Sequence, residues 1–297
     1  VDLLSHSPPT PLQELHNELC EKAAVRLFVK RDDLIHPEVS GNKWRKLKYV
    51  LKEVKQLEID RVLTFGGAYS NHLYALASAC SELDIKAIGI VRGERPVEES
   101  ATLQFCRQKG MELHFVTREE YKLRQSEEYQ SSLSQQFDYP YLIPEGGTSV
   151  LALPGVSELT TEVKNQLGIV PDYYCVAAGT GGTAAGILCT GANVVAFSAL
   201  KGGGFLKDEI DGLIQDYQNP GILDLQTSYH FGGYAKWNAG LLDFIDDFKN
   251  RFDIQLEQVY TGKMLYGVFD LIKKGYFSRN AIIVAVHTGG LQGLVRK

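Results

Sequence analysis

Short runs rich in β-branched, aromatic and aliphatic residues alternate with longer amphipathic stretches along the whole chain, and this alternation leaves few folds open. It predicts strands over 27–30, 61–65, 87–91, 113–117, 173–177, 194–198 and 281–287. Helices are predicted over 43–56, 71–83, 98–109, 157–167, 183–189, 238–251 and 262–274, where apolar residues recur at three-to-four spacing. The pattern is that of an α/β chain whose parallel strands are covered by helices on both faces. The segment 139–147, with Pro140, Pro144, Gly146 and Gly147, reads as a linker between a first group of βα units and a second. No repeat of solenoid type is visible.

A chain of 297 residues suits one large α/β domain or two domains sharing a cleft. Hydrophobic residues at 44% and charged residues at 23% leave no room for a long disordered part. A formal net charge of -5, with both signs interspersed, supplies no footprint for nucleic acid or an anionic membrane. The five cysteines are scattered and form no C-x-x-C pair, which predicts reduced and mostly buried thiols. Apolar runs such as 281–286 are strand-length, far below the roughly 20 residues of a bilayer span. The chain begins without a basic segment followed by an apolar one, so a cytoplasmic enzyme is expected.

Ligands of open α/β sheets bind beyond the carboxyl ends of strands, which directs attention to four places. Ser40-Gly41-Asn42-Lys43 opens a predicted helix continued by Trp44-Arg45-Lys46. A lysine in the first turn opposes the helix dipole, which suits a nucleophilic amine; the competing reading is a solvated basic helix start. Gly66-Gly67-Ala68-Tyr69-Ser70-Asn71-His72 joins a strand to a helix, with Ser70 or Asn71 free to cap that helix or to face a ligand. Ala178-Gly179-Thr180-Gly181-Gly182-Thr183 follows a strongly apolar run and has the composition of a phosphate turn. His287-Thr288-Gly289-Gly290 and Tyr260-Thr261-Gly262-Lys263 offer position alone.

The Gly179 turn also satisfies G-x-G-x-x-A, yet 194–198 runs into Ala199-Leu200-Lys201 rather than the acid a dinucleotide site wants. Zincin, G-x-S-x-G and P-loop motifs are missing, and the seven histidines show no ligand spacing. A nicotinamide-dependent oxidoreductase and a non-catalytic cofactor carrier remain as readings of other classes, separable by the colour of the purified protein.

Taken in this order, the motifs resemble the family of 1-aminocyclopropane-1-carboxylate deaminase and D-cysteine desulfhydrase, in the fold-type II group of pyridoxal-phosphate enzymes. The resemblance runs from Pro9-Thr10-Pro11-Leu12 through Val29-Lys30-Arg31-Asp32-Asp33, the Lys43 turn and Gly66 to Asn71, and ends with Val259 to Lys263 and His287 to Gly290. It implies two open twisted, mostly parallel sheet domains of the tryptophan synthase β-like kind. The large domain would comprise 1–46 and 148–297, the small one 47–147, and the chains would pair as homodimers. It implies pyridoxal 5'-phosphate held through an imine at Lys43, with Asn71 on the phenolic oxygen. Lys46 and the turn Thr180, Gly181, Gly182 and Thr183 would hold the phosphate. Ser70, Tyr234 and Tyr260 would face a small amino-acid substrate, and Thr261 or Thr288 would meet the pyridine nitrogen.

The chain departs from the family in a short 198–229 stretch and in His72, where deaminases tend to carry glutamine. It departs again at Thr261 and Thr288, where the deaminases have glutamate and leucine. A hydroxyl shares a hydrogen bond where a carboxylate would favour a protonated ring, so the electron sink is expected to be weaker. That predicts sulfide, ammonia and pyruvate from D-cysteine, whose thiolate leaves readily, rather than cleavage of a cyclopropane carbon–carbon bond. In this scheme Lys43 is the base for the α-proton, Ser70 and Asn71 hold the carboxylate, and Tyr234 or Tyr260 serves the leaving group.

Overall fold

A computed structural model of the protein describes Leu4 and residues 9–294. One sheet runs in the order β1 (Leu12–Glu14), β2 (Arg26–Lys30), β10 (Ile282–Val286), β7 (Tyr173–Ala178), β8 (Val194–Ser198) and β9 (Leu223–Gln226). Only β1 is antiparallel to its neighbour; in register, Val286 lies opposite Lys30 and Tyr174 opposite Val194. The second sheet, all parallel, runs β5 (Glu112–Val116), β4 (Lys86–Arg92), β3 (Arg61–Gly66) and β6 (Tyr141–Ile143).

The strands are apolar on both faces because both faces are covered. Phe28, Tyr174, Val176, Ala196 and Val284 pack with α7 (Leu153–Leu167), α8 (Gly182–Leu188) and α9 (Leu206–Ile214). The alternate residues Leu27, Val29, Cys175, Val195 and Ile283 pack with α1 (Glu18–Ala23), α10 (Ala239–Phe252) and α11 (Thr261–Lys273). On the second sheet α2 (Asn42–Gln56), α3 (Asn71–Glu82) and α4 (Ala101–Gln108) share one core. The other face holds α5 (Arg118–Lys122) and α6 (Glu127–Gln136) through Tyr121 and Leu133.

Helix α2 belongs to both halves. Its Leu47, Val50, Leu51 and Val54 lie in the core of the second sheet. Its Arg45 reaches back to Asp32 at 2.6 Å and Glu162 at 2.9 Å, and Lys48 meets Glu158 at 2.7 Å. Lys30 joins the same cluster through Glu162 at 2.7 Å, and Thr10 donates to Asp32 at 2.7 Å.

The predicted strands and helices all occur close to their expected limits, but the segment 139–147 is not a plain linker. Residues 141–143 form β6, with Val62 opposite Tyr141 and Thr64 opposite Ile143. Three residues are too few for alternation to show in a sequence. Helix α7 starts four residues before its expected 157 because Pro154 occupies its first turn, where a missing N–H costs nothing. All five cysteines are unpaired and four are buried. No described helix is long and apolar enough to cross a membrane.

Candidate active site

A cavity of about 380 Å³ is lined by residues that follow the carboxyl ends of β3, β6, β7, β8 and β10, together with Arg92 at the end of β4. Lys43, Lys46, Ser70, Asn71, Thr180, Gly181, Gly182, Thr183, Tyr234, Tyr260 and Thr288 all line it. Thr261 stands apart. It is fully buried, and its hydroxyl donates to the Glu257 carboxylate at 3.0 Å, away from the cavity lining.

Lys43 is placed by the residue two before it. Gly41 has φ +63, and a Cβ there would overlap the Thr288 carbonyl oxygen, so a glycine lets α2 begin against the end of β10. Asn42 then donates to Thr183 Oγ1 at 2.9 Å, tying the start of α2 to the start of α8. Lys43 Nζ donates to the Gly146 carbonyl at 3.2 Å. Burial lowers its pKa to about 8, against the opposing pull of the Glu145 carboxylate. Burial, rather than the helix dipole alone, therefore discourages its charge.

One turn on, Lys46 Nζ donates to Thr148 Oγ1 at 2.9 Å and to the same Gly146 carbonyl at 3.3 Å. Its pKa falls well below the usual lysine range through burial and the neighbouring Lys43 charge. Two ammonium groups sharing one carbonyl, with no carboxylate bonded to either among the described residues, make an environment that an anion would relieve. The hydroxyls of Thr148 and Thr180, 2.6 Å apart, border it, and the first N–H groups of α8 have no intrahelical acceptors. A Cβ on Gly182 would lie 2.9 Å from Lys46 Nζ, so glycine keeps this cradle open. A phosphate monoester matches the donor set.

Ser70 does two things: its Oγ accepts from Leu73 N at 3.2 Å, capping α3, and it lines the cavity. Asn71 is oriented by Gln292, which donates to its Oδ1 at 2.6 Å. Beside them Thr64 Oγ1 donates its one proton to the Ile143 carbonyl at 2.7 Å, so toward His72 Nε2 at 2.8 Å it accepts. That fixes the proton on Nε2. Nδ1 is left as a buried acceptor with no partner among the described residues, and burial together with Lys43 and Lys46 holds the ring neutral.

Tyr260 and Tyr234 meet edge to face, with ring centroids 6.0 Å apart. Burial raises both hydroxyl pKa values, that of Tyr260 well above its usual range, so both stay protonated at neutral pH. The sequence reading missed Glu145, Gly146 and Thr148, all of which line the cavity. Glu145 is paired with Arg124 at 2.7 Å and accepts from Tyr121 at 2.8 Å. The one signal available for these was the pair of glycines after Pro144.

A lysine with a lowered pKa, set beside a second buried lysine, two hydroxyls and the start of α8 at the ends of parallel strands, is a donor set that a phosphorylated aldehyde cofactor would fit. The sequence pattern of the pyridoxal-phosphate dependent enzyme family matches residues 3–289, and the chain belongs to that family. Within it, the chain is 32% identical over 300 residues to the mitochondrial bifunctional D-cysteine desulfhydrase/1-aminocyclopropane-1-carboxylate deaminase of Arabidopsis thaliana, covering 92% of this chain and 74% of that protein. It is 27% identical over 309 residues to the D-cysteine desulfhydrase of Klebsiella pneumoniae subsp. pneumoniae, covering 96% and 93%. The crystal structure of an ACC deaminase homologue superposes with a TM-score of 0.84 at 29% identity, over 99% of this chain and 92% of that one. The two-sheet fold is thus that of the fold-type II pyridoxal-phosphate enzymes.

Proposed function

We propose that the protein is a lyase that releases sulfide and ammonia from D-cysteine or a closely related small amino acid, with Lys43 as the lysine that holds pyridoxal phosphate. The observation that carries the attachment is Lys43 itself, at the cavity wall with a pKa near 8 and a phosphate cradle one helical turn away. In that cradle Lys46 and the turn from Thr180 to Thr183 would hold the phosphate, and Asn71 and Thr288 would be the residues that meet the ring.

When bound, the cofactor supplies an electron sink for negative charge developing at the substrate α-carbon. The chain does the rest. Lys43 accepts the α-proton, since an amine with pKa near 8 is substantially neutral in mildly alkaline solution. Ser70 Oγ, at the start of α3, holds the substrate carboxylate. Tyr234 and Tyr260, both protonated at neutral pH, can give a proton to the departing sulfur.

The choice of D-cysteine over a cyclopropane substrate rests on Thr288. Its position at the cavity holds a neutral hydroxyl, while the carboxylates that line the cavity are Glu145 and Glu209. A hydroxyl at the ring nitrogen leaves a weaker sink, sufficient for thiolate as leaving group but not for carbon–carbon cleavage. Homodimeric assembly is part of the same reading, and a species of one chain's mass in sedimentation equilibrium would remove it.

The test compares D-cysteine, L-cysteine and 1-aminocyclopropane-1-carboxylate at saturating cofactor, with sulfide and ammonia measured. Sulfide from D-cysteine with little ring opening is expected. Efficient ring opening without sulfide sinks the substrate assignment, and preference for L-cysteine sinks its stereochemical half. Borohydride reduction and peptide mapping check the attachment separately: the pyridoxyl label belongs on Lys43, and a label on Lys46 refutes the site.

A further inference from the structure

Helix α11 and Tyr260, the residue that precedes it, present four side chains in a row to the segment 229–234. Asp270 accepts from the Tyr229 hydroxyl at 2.6 Å, and Tyr266 packs edge to face on Phe231 with centroids 5.0 Å apart. Lys263 donates to the carbonyls of His230 at 2.9 Å and Gly233 at 2.8 Å, and Tyr260 meets Tyr234. Positions 263, 266 and 270 share one helix face and Tyr260 continues it at the helix start, so the segment lies along α11 in the opposite direction. The backbone it holds is unfavourable. Phe231, Gly232, Gly233 and Ala235 have φ of +51, +96, +120 and +52, which two of these residue types rarely adopt.

Lys263 is the costly member of this row. It is 1% exposed, and burial lowers its pKa to about 8 although the Glu257 carboxylate opposes the shift. A buried ammonium without an ion pair is expensive, and a methionine would fill a similar volume without that cost. The two carbonyls do not need it for satisfaction, because His230 O already accepts from Gly233 N and Gly233 O from Lys236 N. What the lysine adds is a fixed link from α11 to both sides of the bend.

We infer that Lys263 is a positioning residue for Tyr234: it pins the carbonyls flanking the 231–232 bend to α11 and thereby sets where the Tyr234 ring enters the cavity. The inference rests on the reading that Tyr234 faces the substrate. The 231–235 backbone relaxes when the pin is removed, and the hydroxyl loses its fixed place at the leaving group.

The experiment uses the holoenzyme, with Lys263→Met, Tyr234→Phe, the double variant and Lys263→Gln, whose amide keeps two N–H donors. Lys263→Met should speed hydrogen–deuterium exchange in 229–238 at least about tenfold and leave the cofactor absorbance unchanged. Its kcat should fall about tenfold with a smaller change in KM. The double variant should be no slower than Tyr234→Phe, and Lys263→Gln should recover part of the protection and rate. Unchanged exchange and kcat in Lys263→Met overturn the inference, as do losses that multiply in the double variant. Full activity in Tyr234→Phe overturns the assignment of Tyr234, and the exchange data then report on the pin independently. If Lys263→Met does not fold, Lys263→Leu removes the same donors with a shorter side chain, and unchanged exchange and rate there also overturn the inference.

Discussion

Lys43 and Lys46 are one helical turn apart and share the Gly146 carbonyl, yet the sequence presented them as members of a basic run that a solvated helix start would also explain. Their environment separates the two readings. Burial costs Lys43 its usual proton affinity, so the folded cofactor-free chain binds fewer protons than the unfolded chain between pH 8 and the ordinary lysine pKa of 10.5. Stability then rises with pH across that window, and below pH 8 the full penalty of the buried charge is present. Lys43→Met removes the penalty. The cofactor-free variant should be more stable than the parent at pH 7, by about 3 kcal/mol at most because the side chain still reaches the cavity. The gain should shrink toward zero as pH approaches 10.5. Denaturant titrations at pH 7, 8.5 and 10 measure it, and a difference that does not change with pH contradicts the assigned environment.

At the scale of elements, the start of α2 is fixed by Gly41 more than by any helix signal. Gly41→Ala meets both an unfavourable φ and the Thr288 carbonyl, whereas Gly110, with φ +85, has open space around its missing Cβ. Gly110→Ala should cost about 1 kcal/mol from backbone conformation alone. Gly41→Ala should cost about 2–3 kcal/mol and also lower the fraction of chains labelled at Lys43 by borohydride, because α2 must shift. Equal stabilities and equal labelling in the two variants count against this account. The same comparison shows what the sequence could convey. Strands β2, β3, β4, β5, β7, β8 and β10 were legible as apolar runs, and so were α2, α3, α4, α7, α8, α10 and α11, whereas α9 was overlooked although it buries Leu206, Ile210 and Ile214 at four-residue spacing. Helices α5 and α6 were not, since their sequences REEYK and EEYQSSLSQQ each bury a single side chain. Nor was β9, an edge strand of four half-buried residues. The cavity residues after β3, β7 and β10 were legible by position. Glu145 and Thr148 were not, because their roles come from contacts with Arg124 and Lys46, distant in the chain.

Across the whole molecule the cavity draws its walls from both sheets, while α2 is buried in one core and ion-paired to the other half. A cofactor bound there touches both halves and has no comparable site on the unfolded chain, so it stabilises by mass action. The gain is about 2.7 kcal/mol at a hundredfold excess over Kd. In the proposed site two anchors would contribute, the link at Lys43 and the cradle around Lys46, Thr148 and Thr180, and they are separable because different side chains supply them. In Lys43→Ala the covalent anchor is gone while the cradle is untouched. Pyridoxal phosphate should still raise the thermal midpoint of that variant, by less than in the parent, and pyridoxal, lacking the phosphate, should not. In the parent chain both aldehydes should stabilise, pyridoxal the more weakly. Differential scanning calorimetry of the cofactor-stripped proteins with each aldehyde makes the comparison. Equal effects of the two aldehydes on Lys43→Ala would place the phosphate outside the cradle, and the division of labour between α2 and the Thr180 turn would fall with it.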